Sequence, residues 1–387
     1  MQNNLFKTLI FCTLRKNTKS FIMYLNTKVE SKYNDLTELF KGKTGWHRAR
    51  VKFFVSFICS MCKLQTVSFV KLSQGFEGNA SQESNHRRIQ RFFAEFIVDN
   101  HLIARLVFSL LPSEPPYRLS LDRTNWKFGK CDINILMLSV CYKGVGIPIL
   151  WTLLPKRGNS NSQERKDLLS QYIQLFGTSS INGLMADREF IGGDWFKELI
   201  NCKIPFHIRI KGNMRVKVPG KGEKKAFWLF NQLRVNQLLH YHGLVYIQDN
   251  LVYLSGSKTF NAVKNKYEFL IIASFNQQDQ ALLNYKERWQ IETMFKAMKT
   301  SGFNLEQTHL SDLERISKLL ALMAVAFVWA YRVGIDKHEK IKAIEIKKHG
   351  RKAYSFFKYG LIKISHALLN TIDNLEFNYC VKVLSCT

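Results

Sequence analysis

The chain has 387 residues, 46% of them hydrophobic and 22% charged, which excludes a single small module and a disordered polymer and leaves room for two or three packed units. Lys and Arg total 57 against 30 Asp and Glu, a net charge of +27 that favours a polyanionic partner, and nucleic acid is the commonest. An anionic membrane surface is the rival, but the apolar run 319–331 stops short of the roughly 18–20 residues that a span needs, so no membrane partner is expected.

At the N-terminus, residues 9–14 are too few for the apolar core of a signal peptide, and Met23 reads as an alternative start. Apolar spacing predicts helices over 46–70 and 86–111, separated by a turn-rich break at 75–79. Cys59 and Cys62 form the one C-x-x-C among the eight cysteines. Set beside Phe57, Ile58 and Met61, with no second pair to complete a zinc site, they read as buried reduced thiols and fit a reducing cytoplasm. The helix that starts near Ser84 carries Arg87, Arg88 and Arg91 close to its N-terminus, with Ile89, Phe92, Phe93 and Phe96 as its apolar face. A short helix, a turn and a basic helix outline a helix-turn-helix unit whose second helix enters a DNA major groove; a solvated basic face gives the same pattern. Pro112, Pro115 and Pro116 read as a linker that closes a helical, DNA-binding N-terminal region, 1–112.

Beyond the linker the period changes to that of strands. Segments 117–124, 133–142 and 146–154 are joined by short turns that suit antiparallel neighbours. A helix over 162–176 follows, then a buried strand 183–186 ending on Asp187, a helix 193–202 and a strand 205–210. The order β-β-β-α-β-α-β is a mixed α/β layer of ribonuclease-H-like arrangement, over 113–210. Residues 211–280 are β-rich, with strands at 244–248, 251–254 and 267–275 and a hairpin turn at Asp249-Asn250. Helices return over 281–332 and pass into a basic helical region, 333–387. There, 332–363 holds ten Lys or Arg against three acids, interleaved with Tyr354, Phe356, Phe357 and Tyr359. DNA backbone contact and a solvated basic surface explain that tail equally well.

Three carboxylates carry the chemistry. Strand alternation in 119–122 places Leu119 and Leu121 on one face and Ser120 with Asp122 on the other. Asp187 closes an apolar strand, a costly place for a carboxylate unless it is paired or metal-bound. On a continuous helix through 284–299, Tyr285, Arg288, Glu292, Lys296 and Lys299 share an arc of roughly 80°, while Ile291, Met294 and Met298 face the sheet. Ion pairs at i,i+4 explain that stripe if it stands alone. In this topology the first and fourth strands are neighbours, so the two aspartates converge. Three hard carboxylates suit two divalent ions, Mg²⁺ or Mn²⁺, and cations beside Glu292 would grip phosphates.

Tyr285, Arg288, Glu292 and Lys299 reproduce the spacing Y-x2-R-x3-E-x6-K, which resembles the signature of bacterial insertion-sequence transposases of the family numbered four. Asp122 in 121–126 and Asp187 in 186–190 are similar to that family's two catalytic aspartates, and Arg209 in 206–211 to its strand-end arginine. The resemblance spans 117–333. It implies a ribonuclease-H-like core with a β-rich insertion, two Mg²⁺ or Mn²⁺ ions, and cut-and-paste transposition through hairpin ends. It also implies phosphate contacts from Tyr285, Arg288 and Lys299 near the transposon end, with Arg209 helping. The implied partners are double-stranded DNA, as terminal inverted repeats and target, and a second copy of the chain in the DNA complex; the implied place is the bacterial cytoplasm, on the nucleoid. Relatives hold a flipped base on an aromatic of the insertion, for which Tyr267, Phe269 and Trp228 are the candidates here. Two other readings stay open: a ribonuclease-H-like nuclease without strand transfer, and a silent DNA-binding derivative, against which the three carboxylates argue.

Overall fold

The computed structural model of the protein describes residues 33–129, 131–276, 278–348, 350–370 and 374–385. The segment 9–14 and Met23 lie outside the described residues. Five helices open the described chain: α1 (Asn34–Thr44), α2 (Arg48–Leu64), α3 (Phe69–Gly75), α4 (Gln82–Glu95) and α5 (Asn100–Ser109). The single helix expected over 46–70 is therefore two. Gln65 ends α2 in the left-handed region, and α3 departs at 102°. The bend is held by Ser60, whose hydroxyl donates to the Leu72 carbonyl at 2.7 Å. The helix expected over 86–111 is also divided, and Asp99 caps the second half by accepting from the His101 amide at 2.8 Å. Cys59 and Cys62 are buried inside this bundle.

The next strands form the expected order. β1 (Tyr117–Phe128), β2 (Cys131–Tyr142) and β3 (Val145–Leu153) are antiparallel; β4 (Ile181–Ala186) runs parallel to β1, and β5 (Phe206–Ile210) parallel to β4. The crossovers contain α6 (Ser162–Phe176), opened by a capping box of Asn161 and Glu164, and α7 (Gly193–Asn201). The sheet order β3-β2-β1-β4-β5 is the ribonuclease-H-like arrangement.

The β-rich segment is built onto this sheet rather than beside it. Its strands are β6 (Arg215–Val218), β7 (Gly222–Lys225), β8 (Leu238–His240), β9 (Val245–Ile247), β10 (Asn250–Asn261) and β11 (Lys266–Phe275). β11 pairs antiparallel with β5, so one sheet of 11 strands runs on through β10, β9, β6 and β7, with β8 on β10. The hairpin turn expected at Asp249-Asn250 is one residue earlier. Gln248 and Asp249 both take positive φ (46° and 63°), as a two-residue primed turn needs, and Asn250 pairs with Ile247.

Helices α8 (Ala281–Lys286), α9 (Trp289–Lys296), α10 (Leu313–Lys340), α11 (Phe356–Leu369) and α12 (Leu375–Ser385) complete the chain. α10 is the spine, fully buried from Leu319 to Tyr331. It is also long and apolar enough to cross a bilayer, which the run 319–331 alone did not suggest, but 89% of its most apolar stretch is covered by the protein itself. That is how a core helix meets the same criterion.

A buried histidine links sheet and site. His207 on β5 is 1% exposed, its Nε2 lies 3.1 Å from the Asn284 amide nitrogen, and its Nδ1 has no partner among the described residues. Burial, with the charge of Arg118, pushes its pKa down from 6.5 to about 4. Between those values the unfolded chain binds a proton that the native one refuses, so stability must fall as pH drops through this window, by ~3 kcal/mol at most. Urea unfolding from pH 7 to pH 4 should show that loss in the natural protein and a smaller one in His207→Gln; equal losses would remove the assignment.

Candidate active site

The two aspartates sit where the parallel pairing of β1 with β4 ends, Asp187 just past β4 and Asp122 midway along β1, which runs on to Phe128. Leu121 on β1 is in register with Ala186 on β4, so Asp122 and Asp187, the next residues, emerge side by side. Each is pinned by the backbone amide that follows it: the Arg123 amide donates to Asp122 at 2.8 Å and the Arg188 amide to Asp187 at 2.7 Å. Ser120, on the Asp122 face, is fully buried beneath α9.

The expected continuous helix through 284–299 does not form. α8 ends at Lys286, and amide bonds from Glu287 to Asn284, Arg288 to Tyr285, Gln290 to Glu287 and Ile291 to Arg288 make a tight three-residue-spaced turn. The sheet beneath contributes to this break. The Cys141 thiol donates to the Glu287 carbonyl at 3.6 Å, the Ser120 hydroxyl to the Arg288 carbonyl at 3.4 Å, and Arg118 pairs with Glu287. Gly146 on β3 lets α9 lie this close, since a Cβ there would stand 3.2 Å from the Ile291 Cα. A π turn over Ala297–Ser301 then ends the α-helical path. The single stripe of five side chains is therefore corrected to two groups.

The first group converges on the carboxylates. Arg288 bridges two of them, with Nη1 3.3 Å from Asp122 Oδ2 and Nη2 2.6 Å from Glu292 Oε1. Tyr285 donates its hydroxyl to Asp187 at 3.3 Å, and Arg209 on β5 reaches the same oxygen at 4.0 Å. The Arg288 side chain is 8% exposed and Glu292 35%, so charge is deepest at the arginine. Burial pushes the Asp122 pKa up to about 6 although Arg288 and the Arg123 amide pull it down. Burial also raises Tyr285 to about 12, keeping it a hydrogen-bond donor. Burial works against the Arg288 charge, but Tyr285, Glu292, Asp122 and Asp187 outweigh it and raise its pKa. Among the described residues, no group of three His, Cys, Asp or Glu side chains is arranged to take a metal ion.

The second group points elsewhere. Lys299 is drawn along β1, where it donates to the Asn125 carbonyl at 3.2 Å, pairs with Glu306 at 2.5 Å and lies over the Trp126 ring. Lys296 is exposed. On α4, Arg87 and Arg91 are exposed, while Arg88 donates to Asn85 at 3.2 Å and lies over Phe76, contacts within the N-terminal helices and not with the carboxylates. Tyr267 and Trp228 are more than half exposed, and Phe269 is half-buried.

One pair escaped the sequence reading. Arg123 places both Nε and Nη2 3.3 Å from the Glu189 carboxylate and also bonds Asn134 and Asn159 at 3.0 Å. It ties the strand of Asp122 to the turn after Asp187. The signal was present in the chain: Asp-Arg occurs at both aspartates, followed the second time by Glu.

No curated protein matches the chain. Among solved structures it is similar to a piggyBac transposase synaptic complex with hairpin DNA, at 12% identity and a TM-score of 0.46, over 84% of this chain and 71% of that one. The profile of the transposase DDE domain matches residues 115–329, from the linker to the middle of α10 and across all three carboxylates. Since that match takes in more than half of its residues, the chain belongs to the transposase DDE domain family.

Proposed function

We propose that this transposase cuts transposon DNA ends and joins them to target DNA, with Asp122, Asp187 and Glu292 as its catalytic carboxylates. The observation that carries the reading is their convergence, Arg288 contacting Asp122 and Glu292 and Tyr285 contacting Asp187 where the β1–β4 pairing ends. The spacing of Tyr285, Arg288, Glu292 and Lys299 supports membership of insertion-sequence family four.

The donor set fits Mg²⁺ or Mn²⁺. All three groups are hard oxygen ligands, and Asp122 is a buried carboxylate that a cation would relieve. Two such ions, when bound, activate the attacking oxygen and stabilise the leaving one. The chain's own side chains do the rest. Arg288, Arg209 and Tyr285 neutralise and position the phosphate beside the carboxylates, with Lys299 and Lys296 one step further along the DNA. Arg123 and Glu189 hold the two aspartate-bearing segments in fixed relation. Hairpin formation at the ends, and a flipped base on Tyr267, Phe269 or Trp228, follow by family likeness.

We read residues 1–112 as the helical DNA-binding region, with Arg87, Arg88 and Arg91 on the duplex, and 113–210 and 281–332 as the catalytic core. Residues 211–280 are the insertion and 333–387 the basic C-terminal region. The partners are double-stranded DNA, as terminal inverted repeats and target, and a second protomer that pairs the two ends; the setting is the bacterial nucleoid. The deciding experiment incubates the protein with Mg²⁺ or Mn²⁺, a duplex of the genomic sequence flanking its coding region, and a target plasmid. Cleavage with joining is expected. Cleavage alone would favour a nuclease, and end binding without either a silent binder.

Lys299 gives a separate prediction. Lys299→Ala should weaken end binding and reduce the slope of log K against log salt by about one. An unchanged slope in a salt titration of the same duplex would remove its phosphate contact.

A further inference from the structure

We infer that Arg288 is a placeholder cation: its guanidinium holds Asp122 and Glu292 together in the DNA-free chain and must leave before those oxygens can ligate a divalent ion, which couples metal binding to capture of a DNA phosphate. The inference rests on the reading that these carboxylates are the metal ligands.

Two features carry it. Two nitrogens of one guanidinium reach the two carboxylates from separate elements, β1 and α9, at 3.3 and 2.6 Å, so a single planar fork spans both. A doubly charged ion brought onto the same two carboxylates is repelled by the guanidinium a few ångströms away, so the two cations compete for them.

The arginine also has somewhere to go. It also lies 5.7 Å from the Tyr285 ring centroid and 5.8 Å from that of Trp289, and Trp289 is 64% exposed. A guanidinium sliding over Trp289 reaches solvent while keeping a cation–π contact. A DNA phosphate arriving there offers charge-assisted bonds that replace both carboxylate bonds. By linkage, metal must then tighten DNA binding by the factor by which DNA tightens metal binding.

The test is Mn²⁺ binding by the free protein, followed by electron paramagnetic resonance. Arg288→Ala should bind Mn²⁺ roughly ten-fold tighter than the natural protein. Arg288→Lys, which keeps the charge but loses the guanidinium fork, should fall between them and guards against a misfolded alanine variant. Adding Asp122→Asn to either should abolish the gain. A duplex of the genomic sequence flanking the coding region, shown to be bound by anisotropy, should tighten Mn²⁺ binding to the natural protein and not to Arg288→Ala. If neither Arg288 variant binds tighter while Asp122→Asn weakens binding to the natural protein, the placeholder role is overturned and the metal site stands. If Asp122→Asn changes nothing either, both are overturned.

Discussion

Asp122→Asn, Asp187→Asn and Glu292→Gln are each expected to reduce strand cleavage by roughly a thousand-fold or more while the protein stays folded. Each change keeps shape and removes one anionic ligand. Phosphoryl transfer leaves little covalent work to a protein beyond placing charge around the reacting phosphate, so the loss of one ligand falls on the chemical step. The three carboxylates differ in what else they hold. Glu292 is the most exposed of the three, and among the described residues its ion pair is with Arg288; glutamine keeps an acceptor for that guanidinium, so stability should change little. Asp122 and Asp187 also accept the backbone amides that follow them, and their amide replacements keep an acceptor oxygen there. Single-turnover nicking of an end duplex with Mn²⁺, beside thermal melting of each variant, separates the two effects. Cleavage within ten-fold of the natural rate in any one of them would remove that residue from the site.

The second large effect is on stability. Gly334→Ala and Gly360→Ala should each cost about 3 kcal/mol or more, beyond ordinary overpacking. These glycines lie where α10 and α11 cross. A Cβ on Gly334 would stand 1.8 Å from the Phe356 carbonyl oxygen, and one on Gly360 1.8 Å from the Ala330 carbonyl oxygen. Both obstacles are backbone, so no rotamer change relieves them, and α10 is held on all sides. Its Trp329 ring nitrogen donates to the Cys380 carbonyl at 2.9 Å and its Lys318 to the Phe93 carbonyl at 3.1 Å. Gly42 on α1 is the control: nothing lies within 4 Å of its added Cβ, so Gly42→Ala should stabilise by roughly 0.5–1 kcal/mol, as alanine does in an open helix. Urea midpoints of the three variants compare them directly, and a Gly334→Ala protein as stable as Gly42→Ala would mean that the helices do not meet there.

The core sheet was legible because its signals are local. Period-two alternation marked Asp122 as facing away from Leu119 and Leu121, and Asp187 closed an apolar strand. The parallel register of β1 and β4 then brings both to one edge. The break at Glu287–Arg288 was not legible, because its causes are tertiary. Cys141, Ser120, Arg118 and Gly146 lie well over a hundred residues earlier in the chain and act on the turn only once the sheet has formed. A helical wheel drawn on 284–299 assumes 100° per residue, and the tight turn and the π turn violate that in different ways. The wheel placed Lys299 beside Glu292, whereas the fold takes it to Trp126 and Glu306. The Arg123–Glu189 clamp was missed for the opposite reason: each residue was in view beside its aspartate, but only pairing across β1 and β4 makes the contact.

The central claim is that Asp122, Asp187 and Glu292 together hold the ions that cut DNA. Anomalous diffraction from crystals of the protein with an end duplex, soaked in Mn²⁺, tests it most directly. Manganese density is expected between those three carboxylates, with the Arg288 guanidinium withdrawn from Asp122 and resting on a DNA phosphate. Manganese bound by other side chains in crystals whose DNA is being cut, with Arg288 still bridging Asp122 and Glu292, would contradict it.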